Sequence, residues 1–451
     1  MSRLTLLASR LPIQPADGAD GGWRDSAGGV ASVLRVVARS HRCAWIGNAP
    51  EGPPRALPAD WEGTEIVPVP APSAPDDPNR NAFATEVLWP LYHGVSPDHR
   101  PTGRQWRPYH EANVAFAEAA SDRTPDAEAF WVHDYQLHLV PSMLRRRHPD
   151  TRIGFCCYTP FPEPDSFTAL PWWREILDGV LGADLVGLQT DTDRLNFLGV
   201  AARAHRVTGD IVETGDRRVR VGTFPCSIDV DLAEGLARRP ETAMRARRLR
   251  AELGDPRILI SSAERLDYTK GIDLRLAALR NLFRRGVLGV RETAVLQVAE
   301  PSRLGVARYR ACADRVARLV GEFNAEFPPG PVTYFQRHFD GPAMSALYRA
   351  TDVMAVTPPR DGMNLVAKEY VASRFDDDGA LVLSRAAGAA YELTDAYLVD
   401  PLEPGSVERG IAAAVNNLGR SRDRMIEMRE IVSRQDARRW MESFLRVLLP
   451  A

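Results

Sequence analysis

The chain has 451 residues, 44% of them hydrophobic and 26% charged, and a formal net charge of −2. That length exceeds one ordinary domain and favours two halves of similar size. The near-neutral balance gives no electrostatic case for nucleic acid or an anionic membrane, and no apolar run approaches the roughly twenty residues that span a bilayer.

The opening Met1–Arg10 is basic and apolar, lacks a full signal-peptide core with a cleavage site, and reads as a first strand. Strands are predicted at Leu4–Ala8, Cys43–Ile46, Phe130–His133, Ile153–Cys157, Leu185–Leu188 and Val219–Phe224. A second series follows at Ile258–Ser262, Ala294–Ala299, Val332–Phe335, Val353–Val356, Leu381–Ser384 and Tyr397–Val399. Most of these runs are continuously apolar, as expected for parallel strands covered by helices on both faces. They predict two α/β sheets in succession, joined near residues 226–245. The Pro-rich stretch Pro53–Pro78 reads as an exposed connecting loop. Five cysteines include the adjacent Cys156 and Cys157, which do not readily bridge to each other, and no Cys or His spacing suits zinc. A cytoplasmic protein with reduced thiols is the expectation.

Candidate functional residues follow the strands. Arg10 closes the first strand, at the edge where open α/β sheets bind ligands. Gly28-Gly29, ahead of a helical run Val30–Val37, reads as a phosphate-approach turn or as a plain loop, since it lacks the GxGxxG spacing. Arg80 and Trp89 share one segment, where Trp89 reads as a core tryptophan. Asp134 follows a buried strand and suits cleft function as well as a helix N-cap for Leu137–Arg145. Asp191-Thr-Asp193 resembles a metal-binding DxD, but it precedes the helical run Arg194–Val200, so capping is preferred and no metal is expected.

In the second half, Arg265 ends a strand and Lys270 starts a helix that places Ile272, Leu276, Leu279 and Phe283 on one face, with Gly286 as its stop. Two cations beside a helix N-terminus suit a departing diphosphate. Arg303 follows a further strand. Next, the run Asp352–Val356 leads through two prolines into Arg360-Asp361-Gly362-Met363-Asn364, then a helix, Leu365–Ser373. Gly362 is expected to make the tight turn, leaving the amides of Gly362, Met363 and Asn364 unpaired at a helix start, with Asp361 at its mouth and Glu369 within reach along the helix. A plain strand-turn-helix junction fits these residues equally well.

Several stretches together resemble the trehalose-6-phosphate synthase family, in the same order over nearly the whole chain. They are Ser9-Arg10, Gly28-Gly29, Val87–Pro90, His133-Asp134-Tyr135, Thr159–Pro162 and Leu185–Thr190, then Arg265–Gly271, Pro301–Arg303, His338–Asp340 and the specific block Arg360–Tyr370. The resemblance implies a GT-B fold: two Rossmann-like parallel-sheet domains, 1–228 for the acceptor and 229–437 for the nucleotide-sugar, with the active site in the cleft between them and a last helix, 438–451, crossing back. It implies a retaining glycosyltransferase that moves glucose from UDP- or GDP-glucose to glucose 6-phosphate without a protein nucleophile, metal or cofactor. Partners would be these two substrates, with no nucleic acid and no membrane; a homo-oligomer is compatible.

By the same resemblance, Arg265 and Lys270 hold the donor diphosphate, with Gly28-Gly29 closing over it. Asp361 and the amides of Gly362, Met363 and Asn364 hold the donor hexose. Leu365, Val366 and Glu369 face the nucleoside, Glu369 at the ribose. Arg10 and Arg303 bind the acceptor phosphate, and Asp134 its sugar hydroxyls, with Trp89 beside it. Three positions depart from the family. Tyr158 replaces a histidine near the donor's outer hydroxyls; Arg80 replaces a tyrosine on the acceptor phosphate; and Pro225-Cys226-Ser227-Ile228 replaces Pro-Ile-Gly-Ile. Tyr158 puts the donor sugar in question. It keeps open a related enzyme or pseudo-glycosyltransferase of antibiotic assembly, acting on another sugar or cyclitol, beside an inactive sugar-phosphate sensor. A dehydrogenase fits least, for want of GxGxxG.

Overall fold

A computed structural model describes residues 4–16, 22–26, 28–50, 56–70, 77 and 79–450. Parts of the readings above lie outside these residues: Met1–Arg3 of the opening, Ala27 of the glycine loop, and 53–55, 71–76 and 78 of the Pro-rich stretch. The chain forms two units, one of Met1–Cys226 with Ala437–Ala451, the other of Ser227–Asp436.

The first unit is built on a 10-stranded sheet. Parallel pairing runs from Thr64–Val69 through Cys43–Asn48, Leu4–Arg10, Ala129–His133, Arg152–Cys156 and Leu185–Leu188 to Arg217–Thr223. Chain order reverses between Leu4–Arg10 and Ala129–His133, the kind of switch point where such sheets bind ligands beyond their carboxyl ends. The helix Ala437–Leu448 lies within this unit. Its Trp440 and Phe444 stack on Trp131 at 5.2 and 4.5 Å between centroids. Phe444 reaches the sheet because Gly154 and Gly187 carry no Cβ; one built there would stand 2.7 and 2.9 Å from its ring.

Within Pro53–Pro78 the expected loop is corrected. Thr64–Val69 is a strand pairing with Cys43–Asn48, and Thr64, Ile66, Val67 and Val69 are buried. Pro68 is the strand's one exposed position, and the pairing with Cys43–Asn48 survives its missing N–H. Antiparallel additions also escaped the sequence reading: Ile13–Pro15 with Trp23–Asp25, and Arg206–Thr208 and Ile211–Thr214, which extend Arg217–Thr223, the strand expected at Val219–Phe224, into a meander.

The second unit has a 6-stranded, all-parallel sheet. Its order is Val332–Phe335, Thr293–Glu300, Ile258–Arg265, Val353–Val356, Ala380–Ser384, Tyr397–Val399. Alternate residues feed opposite faces: Leu259, Met354 and Leu381 join one core, while Ile260, Ala355 and Val382 join the other. Each fully buried Leu, Ile, Val or Met side chain among them contributes about 1.5–3 kcal/mol. Both faces are thus apolar, which explains the unbroken apolar runs. Among the described residues no helix is long and apolar enough to cross a membrane.

Candidate functional site

The second unit's switch point lies between Ile258–Arg265 and Val353–Val356, and the residues leaving these two strands converge. After Arg265 the chain makes a short 3-10 turn, Tyr268–Lys270, capped by buried Asp267, whose Oδ1 accepts the Thr269 amide at 3.0 Å and hydroxyl at 2.9 Å. Gly271, in the left-handed region at φ 64°, then starts the helix Ile272–Arg284. The turn points Lys270 Nζ to within 2.6 Å of Asp361 Oδ2. Asp361 also accepts from the Gly362 amide at Oδ1 and from Asn364 Nδ2 at Oδ2, both at 3.0 Å. Arg265 is half-buried at the same strand exit, with Nη2 4.0 Å from Asp267 Oδ2.

These contacts correct the expected turn in two respects. The Gly362 amide is not unpaired, since Asp361 takes it. The left-handed residue is Asn364, at φ 66°, rather than Gly362, because asparagine tolerates that region by bonding locally. The helix Leu365–Ser373 then runs as expected, with Leu365 and Val366 half-buried against the core. Met363 is buried. Glu369 Oε2 accepts the Tyr348 hydroxyl at 2.6 Å, and burial raises its pKa above the usual carboxylate range.

Beneath this cluster lies a network that the sequence reading missed. Arg275, 1% exposed, pairs with Glu264 and donates to Gln297 Oε1 at 3.0 Å and Thr357 Oγ1 at 3.1 Å. It ties both strand exits together. Burial raises the Glu264 pKa, while the facing Arg275 guanidinium opposes that rise. Arg275 follows Ile272 by three residues and precedes Leu279 by four; a cation on that apolar stripe was the available signal. Arg303, at φ 49°, donates to the Tyr309 hydroxyl at 2.7 Å.

In the first unit, the candidates also collect at strand ends. The Arg10 carbonyl accepts the Trp45 indole N–H at 2.9 Å, fixing the end of the first strand. Asp134, at φ 74°, caps nothing with its side chain, which settles the N-cap alternative against it. Instead its amide donates to the Cys156 carbonyl at 2.7 Å, and its Oδ1 accepts the Tyr158 amide at 3.2 Å. The Tyr158 hydroxyl bonds His133 Nδ1 at 2.9 Å. Burial pushes His133 down to about 3, so the ring is neutral, and keeps the Tyr158 phenol protonated. Trp89, 5% exposed, packs on His93 and on Tyr135, next to Asp134. Arg80 stands in the turn before the π-helical Phe83–Leu88, and Gly28, at φ 120°, precedes the helix Gly29–Ser40.

The helix Asp191–Ala201 is capped by Thr190, whose hydroxyl accepts the Asp193 amide, so the capping expected of the DxD falls one residue earlier. Asp193 is buried and accepts the Phe161 amide at 2.7 Å. Among the described residues no group of three or more His, Cys, Asp or Glu could hold a metal. A pocket of about 360 Å³, lined by Leu4, His41, Glu128 and Glu442, opens at the amino ends of the first unit's strands and holds none of the candidates.

Comparison with known proteins places this chain in a family. The profile of Glycosyltransferase family 20 matches residues 3–449. The chain is 41% identical to a trehalose-6-phosphate synthase of Mycolicibacterium gilvum, over 98% of this chain and 93% of that one. It is 40% identical to one of Mycobacterium tuberculosis, over 100% and 95%. Among solved structures, an E. coli trehalose-6-phosphate structure bound with UDP-2-fluoro glucose aligns at TM-score 0.89 and 29% identity, over 100% and 99% of the two chains. A UDP-forming α,α-trehalose-phosphate synthase from Burkholderia xenovorans, in complex with glucose-6-phosphate, aligns at 0.89 and 26%, over 99% and 100%.

Proposed function

The chain belongs to glycosyltransferase family 20, and on that premise we propose that it moves glucose from a nucleotide-glucose to glucose 6-phosphate, giving α,α-trehalose 6-phosphate. The observation that carries this reading is the Lys270–Asp361 pair at the second unit's switch point, with Arg265 at the adjoining strand exit. In the proposed roles, Arg265 and Lys270 hold the diphosphate and neutralise it as it departs, with Gly28 and Gly29 closing over it. Asp361, Gly362, Met363 and Asn364 bind the hexose, and Leu365, Val366 and Glu369 face the nucleoside. Arg10, Arg80 and Arg303 bind the acceptor phosphate, and Asp134 and Trp89 its sugar. Similarity to a structure bound with UDP-2-fluoro glucose and to one in complex with glucose-6-phosphate supports both substrate classes.

Transfer proceeds with retention. The acceptor hydroxyl attacks the anomeric carbon on the face that the diphosphate leaves, the bond to the phosphate oxygen breaks, and that oxygen takes the hydroxyl proton. The protein contributes orientation and charge stabilisation, with no cofactor or metal. One observation favours a second reading, a relative that uses another sugar or cyclitol. Tyr158 stands where the family's donor-side histidine is expected, and His133 holds its hydroxyl.

The test is to incubate purified protein with glucose 6-phosphate and UDP-glucose or GDP-glucose, with and without EDTA, and to look for a disaccharide phosphate. Product with either donor, undiminished by EDTA, is expected. No product with either sinks the first reading, and product only with other donors favours the second.

A further inference from the structure

We propose that Gly388, with the buried Lys368–Glu392 pair beside it, positions the donor-binding turn and thereby sets affinity for the nucleotide-glucose. This rests on the reading of Asp361–Asn364 as the hexose-holding turn. The segment Ala386–Ala389 belongs to a different connection, after the strand Ala380–Ser384, yet its backbone is laced to that turn. The Asp361 amide donates to the Ala386 carbonyl at 3.0 Å, the Gly388 amide to the Asp361 carbonyl at 3.3 Å, and the Ala389 amide to the Met363 carbonyl at 2.8 Å. Asp361 and Ala387 form an isolated parallel bridge.

The approach is closest at Gly388. A Cβ built there would stand 1.9 Å from the Gly362 carbonyl oxygen and 3.2 Å from Met363 Cα. Gly388 is not among the glycines with positive φ, so its need is for space and not for an unusual backbone angle. An alanine would therefore have to push the Gly362 carbonyl, and the turn with it. In the helix Leu365–Ser373 that follows the turn, Lys368 is fully buried and its Nζ lies 2.8 Å from Glu392 Oε2, just past the turn Gly388–Tyr391. A buried pair of this kind is weak evidence for stability, and here it joins the two segments whose spacing decides where Asp361 sits.

Calorimetric titration with UDP-glucose, GDP-glucose and glucose 6-phosphate tests this on wild type, Gly388→Ala and Glu392→Gln, each checked by thermal melting. For Gly388→Ala, affinity for the nucleotide-glucose that wild type binds should fall about tenfold or more, the loss expected when one or two of the turn's hydrogen bonds to the hexose are displaced. Affinity for glucose 6-phosphate should stay within about twofold, as for independent sites. Nucleotide-glucose affinity unchanged in folded Gly388→Ala overturns the inference, as does equal weakening for both ligands, which marks a general loss of structure. If Gly388→Ala does not fold, Glu392→Gln decides: it keeps the side chain's shape and removes its charge, and the same donor-selective weakening is required of it. Wild-type protein that binds neither nucleotide-glucose overturns the donor-site reading itself, a result separate from either variant's.

Discussion

Lys270 serves a carboxylate in the resting protein and, in the proposed reaction, a phosphate as well. Its ammonium lies 2.6 Å from Asp361 with both side chains largely buried. An ammonium has three donors, so it can keep Asp361 and still meet a diphosphate oxygen. Lys270→Ala removes that charge at the moment negative charge develops on the leaving group. The expected loss is about 100- to 1000-fold in kcat, the range found when one stabilising donor is deleted. Steady-state kinetics with nucleotide-glucose varied reads it directly, and full activity in this variant would remove Lys270 from the mechanism. Arg265 stands at the adjoining strand exit, half-buried and with Nη2 4.0 Å from Asp267 Oδ2.

At the scale of elements, the turn Tyr268–Gly271 has to place Lys270, and the sequence signals it by Lys270-Gly271 ahead of an apolar stripe. Gly271 meets two constraints at once. Its φ is 64°, and a Cβ there would stand 2.8 Å from Pro359 Cδ and 3.0 Å from the Thr357 carbonyl oxygen. Gly271→Ala should therefore cost about 1–2 kcal/mol for the left-handed angle alone, with crowding added. Urea denaturation measures the loss, and stability equal to wild type would refute this account of the turn. The parallel strands were legible because both faces are buried, which leaves an unbroken apolar run with no phase to misread. Thr64–Val69 was not, because Pro68 and the prolines around it read as loop, although four of its six side chains are buried. Among the candidate site residues, Lys270, Asp361 and Arg265 were legible as charges that follow strands. The Glu264–Arg275 pair and Gly388 were not: Arg275 is marked only as a cation on an apolar stripe, and neither its partner Glu264 nor the close backbone approach at Gly388 can be read before the neighbour across the fold is known.

For the whole molecule, acid should act unequally on the two units. His133 and His138 in the first unit are pushed down to about 3 by burial. Burial also lowers His148, with Arg147 adding to it. Between the ordinary histidine value near 6.5 and about 3, the unfolded chain binds protons that the native unit refuses, so stability falls as pH drops. Each of His133 and His138 contributes up to about 1.4 kcal/mol per pH unit in that window. The second unit holds only His338 of the chain's 9 histidines. Its half-buried Glu264 and Glu369 are shifted upward, so they take up protons in the native state before the unfolded one, and the unit gains stability as pH falls through their native values. Scanning calorimetry between about pH 7 and 5 should therefore show one transition moving down steeply while a second holds its place. His138→Gln should flatten the moving transition alone, because among the described residues His138 bonds Tyr92 at 2.9 Å and Tyr109 at 3.1 Å, both in the first unit. Two transitions that shift together with pH, or a His138→Gln protein as acid-sensitive as wild type, would remove the buried histidines as the cause.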